Sequence, residues 1–303
     1  MLTLYSIPKP SIGKNAVIQR NAIHSWTLLR PTCEIILFGD DEGTADIAKE
    51  FNIRHIPHVV RNEYGTPLVN DVFYEAQKAA TYDYLCYVNA DIILMNDLME
   101  AVKQVARQQK RFLMVGRRWD LDIENNLCFG KHWEEKLHAM VKQSGKLHSE
   151  TGIDYFIFPK GLWDDIPPFA IGRFSWDNWL VYRARALKVA LIDASSSVIA
   201  VHQNHDYHHS GVDKKSIFKG PEAILNRKLL GGDDYSFNVF DATHVLIKNN
   251  IKKPVDIWHI WRYLNKLPFL FPFPELVKPL LIKVSRFSHQ QWLRFKASYA
   301  GNC

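Results

Sequence analysis

The chain has no CxxC pair. Its four cysteines, Cys33, Cys86, Cys128 and Cys303, are scattered over 303 residues, which indicates neither a zinc site nor a disulfide framework. Reduced cytosolic thiols are the simplest reading. No run of about eighteen apolar residues occurs, so no spanning helix is expected. Met1–Tyr5 leads directly into Ser6-Ile7-Pro8-Lys9-Pro10 without a basic-then-apolar leader, and the expected location is the cytoplasm. There is no GxGxxG after the first apolar segment and no GxxxxGK[ST] anywhere. A nucleotide bound here would need a metal, not a glycine nest, at its phosphates. Internal repeats are absent. A net charge of +6 with pI about 9.0 is too mild to indicate nucleic acid. It suits phosphate-bearing partners or an anionic membrane surface.

What is present is ordinary globular composition, 47% hydrophobic, 23% charged and 13% aromatic. The length allows one large domain or two modest ones, with a core that needs no covalent staples. Apolar segments at Leu2–Ile7, Glu34–Phe38, Arg54–Val60, Tyr84–Val88 and Phe112–Val115 alternate with helical spacings at 11–30, 45–51, 72–80 and 98–108. Ser11, Thr44 and Asn96 or Asp97 stand where N-caps belong. This rhythm predicts an open α/β sheet, in which ligands sit at the carboxyl ends of strands. Tyr5–Pro8, Phe38–Asp41 and Asn89–Asp91 all lie at such ends.

The stretch Tyr84–Leu94 is an apolar strand interrupted by Asn89 and Asp91. A charge leaving water needs a partner. On an extended backbone the two residues point to one side, which suits a hard divalent cation that also holds phosphate oxygens. A simple turn at the strand end is the alternative. Further on, Trp119–Cys128 reads as acidic and turn-like, 132–144 as an exposed helix, and Gly152–Lys160 as an aromatic strand with an acidic start. Asp177 stands between Trp176 and Trp179 at a helix start. Apolar walls raise a carboxyl pKa and make a better base, and indole faces suit sugar rings. Alternatively Asp177 caps the helix and the tryptophans are core. Val198–Val201 is a strand that runs into His202. His202 is a metal-ligand candidate or a strand-end histidine bonded to backbone. His205, His208 and His209 read as loop, and Arg173 or Lys214 could hold a diphosphate oxygen.

Four features in order resemble the GT-A nucleotide-diphospho-sugar glycosyltransferases: a first strand ending in Ser6-Ile7-Pro8, the Asn89-Ala90-Asp91 strand end, the strand Gly152-Ile153-Asp154-Tyr155-Phe156, and the helix start Gly172-Arg173 to Trp176-Asp177-Asn178-Trp179-Leu180. The resemblance covers roughly residues 1–210. Asn89-Ala90-Asp91 is similar to that superfamily's Asp-x-Asp motif, with the first Asp replaced by Asn89. The resemblance implies a Rossmann-like mixed central sheet flanked by helices. Ser6, Ile7, Pro8, Asp40 and Asn89 would line the nucleotide pocket, and Asp91 with His202 would hold Mn²⁺ or Mg²⁺ on the diphosphate. Asp154, Arg173, Trp176 and Trp179 would lie on the acceptor side, and Asp177 would be the general base of an inverting transfer. It implies a UDP-sugar donor and a glycan or lipid-linked acceptor. Two other readings share the sheet: a non-catalytic nucleotide-sugar binder, which Asn89 favours, and a sugar nucleotidyltransferase, which the lack of a glycine-rich first loop disfavours.

Composition divides the chain at 245, with a nucleotide-binding part over 1–116, an acceptor side over 117–245, and an aromatic, basic helical extension over 246–303. The extension holds Pro254, Pro268, Pro272, Pro274 and Pro279 with Trp258, Trp261, Phe269, Phe271, Phe273, Phe287 and Trp292. It resembles an interfacial segment, and 254–296 is expected to meet an anionic surface on the inner membrane face. An amphipathic tail packed on the parent domain is the alternative.

Overall fold

The computed structural model describes residues 1–204, 218–271, 273–274, 276–277, 279–288 and 291. The readings placed on His205, His208, His209, Lys214, Pro272 and Trp292 lie outside the described residues. Strand β1 (Leu2–Ser6) is buried throughout. Leu2 and Leu4 face one side of the sheet and Tyr5 the other. Strands β2 (Glu34–Phe38), β3 (Arg54–Ile56) and β4 (Tyr84–Val88) extend it in parallel, in the order β3-β2-β1-β4. Helices α1 (Lys14–Thr27), α2 (Thr44–Glu50) and α3 (Val69–Ala79) make the crossovers. Such strands are covered on both faces, which is why they read as near-continuous apolar runs.

The rest of the chain comprises β5 (Ile92–Ile93), α4 (Asn96–Gln108), β6 (Phe112–Leu121), α5 (Trp133–Ser144), β7 (Lys146–Leu147), β8 (Ile153–Pro159), α6 (Trp176–Ala186), β9 (Ala190–Asp193), β10 (Ala200–Gln203), α7 (Pro221–Leu230), β11 (His244–Ile247), β12 (Asn250–Lys252) and α8 (Ile257–Leu270). The main sheet runs β12-β11-β9-β6-β8-β4-β1-β2-β3, with β8 antiparallel between β4 and β6. It is the mixed α/β sheet expected, with α1, α2 and α4 covering one face and α3 and α6 the other. The second face is knit by aromatic rings. Phe73 stacks on Phe158 at 5.7 Å, and Trp176 meets Tyr87 edge-on at 5.2 Å. Such pairs contribute about 0.5–1.5 kcal/mol each beyond area burial. The far half of β6 leaves the main sheet to pair in parallel with β10, which pairs antiparallel with β5. Helix α5 packs on this small sheet through Leu137 and Val141.

Several local expectations differ. Ser11 does not cap α1. Its N–H donates to the Glu42 carbonyl at 2.7 Å, and Gly13, at φ 55°, starts the helix. Neither Thr44 nor Asn96 or Asp97 is an N-cap, because α2 and α4 begin after Gly43 and Met95 without side-chain caps. The divisions at 116 and 245 fall inside β6 and β11, both strands of the main sheet.

Strand β8 carries a bulge. Val115 pairs with Phe156 but Arg117 with Ile153, so Asp154 and Tyr155 together oppose Gly116. Bulges re-aim side chains beside functional sites. Gly116 is required because a Cβ there would run into the Tyr155 hydroxyl. Gly116→Ala is expected to cost about 1–3 kcal/mol, read as a lower urea midpoint at unchanged slope.

Candidate active site

Beyond β4 the backbone turns. The Ile92 N–H donates to the Asn89 carbonyl at 3.1 Å. The extended geometry that would put Asn89 and Asp91 on one side is therefore absent, and the two side chains part. Asn89 is committed at both ends of its amide. Its Nδ2 donates to Asp154 Oδ1 at 2.5 Å, and its Oδ1 accepts from the Tyr87 hydroxyl at 3.1 Å. It holds Asp154. Asp91 goes to the small sheet instead, where its Oδ2 lies 3.7 Å from His202 Nε2. His202 is inside β10, not beyond it. Gln203 fixes this turn: its Nε2 donates to the Asp91 carbonyl at 3.2 Å and to the Ile18 carbonyl at 2.8 Å.

Sequence reading missed three central residues. Strand β6 runs on past Val115 to Leu121, into the start of the segment read as turn-like, and delivers Arg118 and Asp120, while His148 follows β7. Arg118 bridges Asp120 at 2.9 Å and Asp154 at 2.9 Å. Asp120 accepts from His148 Nδ1 at 2.6 Å and lies 3.3 Å from His202 Nδ1. The His148 ring fits because residue 152 is glycine, where a Cβ would collide with it. A usable signal existed: Arg118, Asp120 and Asp122 alternate with Trp119, Leu121 and Ile123, the period of a half-buried strand. The apolar set packs toward α5, and the polar set lines a cleft.

That cleft has a volume of about 460 Å³. Arg118, Asp120, Asp122, Glu124, His148 and His202 line it, with Lys14 at its wall. Burial opposes the Asp120 charge, yet the His148 hydrogen bond and Arg118 hold its carboxyl below the usual range. For Arg118 burial works against the cation, and Asp154 and Asp120 more than offset it. Around this guanidinium stand three carboxylates, Asp91, Asp120 and Asp154, an excess of negative charge that suits a divalent cation. Among the described residues no three His, Cys, Asp or Glu side chains converge as a closed metal cage. Asp91 Oδ2 and His202 Nε2, 3.7 Å apart, are an oxygen and a nitrogen at the edge of this acidic cleft.

Other expected site residues lie elsewhere. Ser6, Ile7 and Pro8 are at the predicted strand end but buried, and Ile7 belongs to the core. Asp40 is exposed and bonded to Arg61 at 2.7 Å, which holds its carboxyl below the ordinary range. None of these lines the cleft. Trp176 and Trp179 are both buried at 7% exposure in the aromatic core, so neither offers an indole face to a sugar. Arg173 is engaged by Glu222, its Nε 2.8 Å from Oε2. Asp177 is half-buried in the first turn of α6, whose N-cap is Ser175. Burial pushes its pKa up to about 6, with the Asp154 charge adding to the rise and first-turn backbone N–H groups, chiefly that of Asn178, pulling the other way.

The folded-state pKa of Asp177 lies above the ordinary 3.8, so the folded chain holds its proton more tightly than the unfolded one. Stability from the protonated form is complete below the unfolded value and lost as pH rises to about 6. Asp177→Asn is expected to stabilise the protein by about 1–3 kcal/mol at neutral pH, with the gain vanishing in acid below the ordinary value. Urea unfolding at the two pH values checks this.

No protein-family model matches the chain, and no curated protein matches it. Among solved structures it is similar to glucosyl-3-phosphoglycerate synthase from Mycobacterium tuberculosis in complex with Mn²⁺, UDP and glucosyl-3-phosphoglycerate. The identity is 12% and the TM-score 0.46, over 77% of this chain and 80% of that one. It is also similar to S. aureus TarS 1–349 in complex with UDP-GlcNAc, at 12% identity and a TM-score of 0.48 over 95% of this chain and 88% of that one.

Proposed function

We propose that the protein is a divalent-metal-dependent glycosyltransferase that takes a sugar from a nucleoside diphosphate, a UDP-sugar by the resemblance read in the sequence. The observation that carries this is the pairing of Asp91 with His202 at the carboxyl edge of parallel strands, beside an acidic cleft. A bare diphosphate is repelled by such a cleft. A bound Mn²⁺ or Mg²⁺ would neutralise the leaving diphosphate there. Asp91 and His202 would hold it, with Asp120, itself bonded to His148, 3.3 Å from His202 Nδ1 on the other side of the ring.

Asp177 is the proposed general base. It takes the acceptor hydroxyl proton as the acceptor oxygen bonds to the anomeric carbon. The bond to the diphosphate oxygen breaks on the opposite side, and its electron pair leaves with the nucleotide, so configuration inverts. Burial raises the basicity of Asp177, and the charge of Asp154, held by Asn89 and Arg118, adds to that rise. The proposed acceptor is a glycan or a lipid-linked sugar, met at the cytoplasmic face of a membrane through residues 254–296. Among the described residues no helix is long and apolar enough to cross a membrane.

A non-catalytic nucleotide-sugar binder is the second reading. It is favoured by Asn89, an amide in place of the first carboxylate of the Asp-x-Asp motif, which is turned from Asp91 and tied to Asp154. Turnover separates the two readings.

Mn²⁺ with UDP is expected to raise the melting temperature more than either alone, and Asp91→Ala is expected to remove that joint shift. Retention of the full shift by the variant would show that Asp91 is not at the phosphate site. Asp177→Asn is expected to lower kcat by about 10²–10⁴ while UDP binding stays within about twofold, and wild-type kcat should decline as pH falls through about 6. Equal loss of binding and turnover would assign Asp177 a structural part only.

A further inference from the structure

Helix α8 is amphipathic in the inverted sense. Its exposed residues include Ile257, Ile260, Tyr263 and Leu264, at 70%, 49%, 45% and 58%, whereas His259, Arg262, Asn265 and Lys266 are buried. The inward polar face is anchored. Arg262 Nε donates to Asp241 Oδ1 at 3.1 Å, and Lys266 Nζ donates to the Asp234 carbonyl at 2.5 Å. A surface helix normally turns its apolar stripe to the core, so this orientation leaves the stripe Ile257, Ile260 and Leu264, at i, i+3 and i+7, without cover among the described residues.

Residues 279–288, which are helical, also leave apolar side chains uncovered, with Leu280, Val284 and Phe287 exposed at 63%, 59% and 63% beside exposed Lys283 and Arg286. Two hydrogen bonds join the segments: Trp261 Nε1 to Ser288 Oγ at 3.0 Å, and Ser285 Oγ to the Asn265 carbonyl at 2.7 Å. The two stripes therefore belong to one structural unit.

Charge identifies the occupant. Residues 251–303 hold nine Lys and Arg against two Asp and Glu, a net of +7, so the first 250 residues carry −1 of the chain's +6. Lys252, Lys253 and Lys283 are exposed. A second copy of this chain would bring the same positive charge against itself, which opposes pairing. An anionic surface with an apolar interior satisfies both features at once.

We propose that α8 and residues 279–288 form a docking face for an anionic lipid bilayer. Ile257, Ile260, Leu264, Leu280 and Phe287 enter the headgroup boundary, and Lys252, Lys253 and Lys283 meet the lipid phosphates. The proposal rests on the membrane-surface reading above but not on sugar transfer, since docking is read without nucleotide or metal. Full-length protein is floated with vesicles of phosphatidylcholine alone, and with vesicles containing phosphatidylglycerol at roughly one part in three. The expected result is binding at least about tenfold tighter to the anionic vesicles, weakened by salt. Ile260→Asp with Leu264→Asp should abolish it at unchanged melting temperature, because both side chains are already exposed, and Lys252→Glu with Lys253→Glu should abolish the preference for anionic lipid. Failure of the wild type to float with either vesicle overturns the proposal. So does a wild-type dimer in sedimentation velocity that the Asp pair dissolves, which would assign the face to a second copy. A chain that shows the joint Mn²⁺ and UDP shift yet never floats loses only the docking face. One that floats without that shift loses only the transferase reading.

Discussion

The guanidinium of Arg118 is the interaction on which the site depends. It lies with 16% of its side chain exposed, between Asp120 on its own strand and Asp154 on the neighbouring one. Burying a cation is unfavourable unless carboxylates and hydrogen bonds compensate it, and here two carboxylates do. Removing either partner would strand charge in a poorly solvated place, at a cost of about 3–5 kcal/mol for a buried pair. The cluster therefore acts as a unit. Arg118 fixes Asp154, which Asn89 holds from the other side, and Asp120 is shared between His148 and His202.

This unit exists because β6 serves two sheets. Its first half lies between β8 and β9 in the main sheet, and its second half pairs with β10. The bulge in β8 opposite Gly116 marks the change and turns Asp154 toward Arg118. The small sheet carries His202 to within 3.7 Å of Asp91, although more than a hundred residues separate them. On the far side of Asp154, α6 enters through the aromatic core and leaves Asp177 half-buried at its first turn. The tryptophans beside it contribute packing, and its pKa rises through burial and the Asp154 charge.

Much of the fold was legible in the sequence, for a local reason. Strands buried on both faces must be apolar throughout, and the crossover helices must show a 3.6-residue stripe, so β1, β2, β4, α1, α3 and α4 announced themselves. Helix starts were less legible. Ser11 is drawn away by the Glu42 carbonyl, and glycines at positive φ did the work expected of side-chain caps. Asp91, Asp154 and His202 drew attention in the sequence because charge and imidazole stood out against apolar strands, and the fold brings all three around Arg118 and Asp120. Arg118 and Asp120 were passed over because a charged alternation reads equally well as an acidic turn when no partner strand is in view. Arg173 and the two tryptophans have chemistry that suits a ligand, but tertiary neighbours engage them: Glu222 pairs with Arg173, and the aromatic core buries both indoles.

The sequence by itself determined the α/β sheet, the edge at which its parallel strands end, the polar break at Asn89–Asp91, and the concentration of positive charge in the last fifty residues. These follow from composition and period, which are properties of neighbours along the chain. Only the tertiary structure decided that Asn89 serves Asp154 while Asp91 serves His202, that Arg118 organises the carboxylates, and that α8 turns its polar face inward. Each of those depends on which group lies across a sheet or beneath a helix. For a buried charge or an exposed apolar stripe, that neighbour sets the free energy.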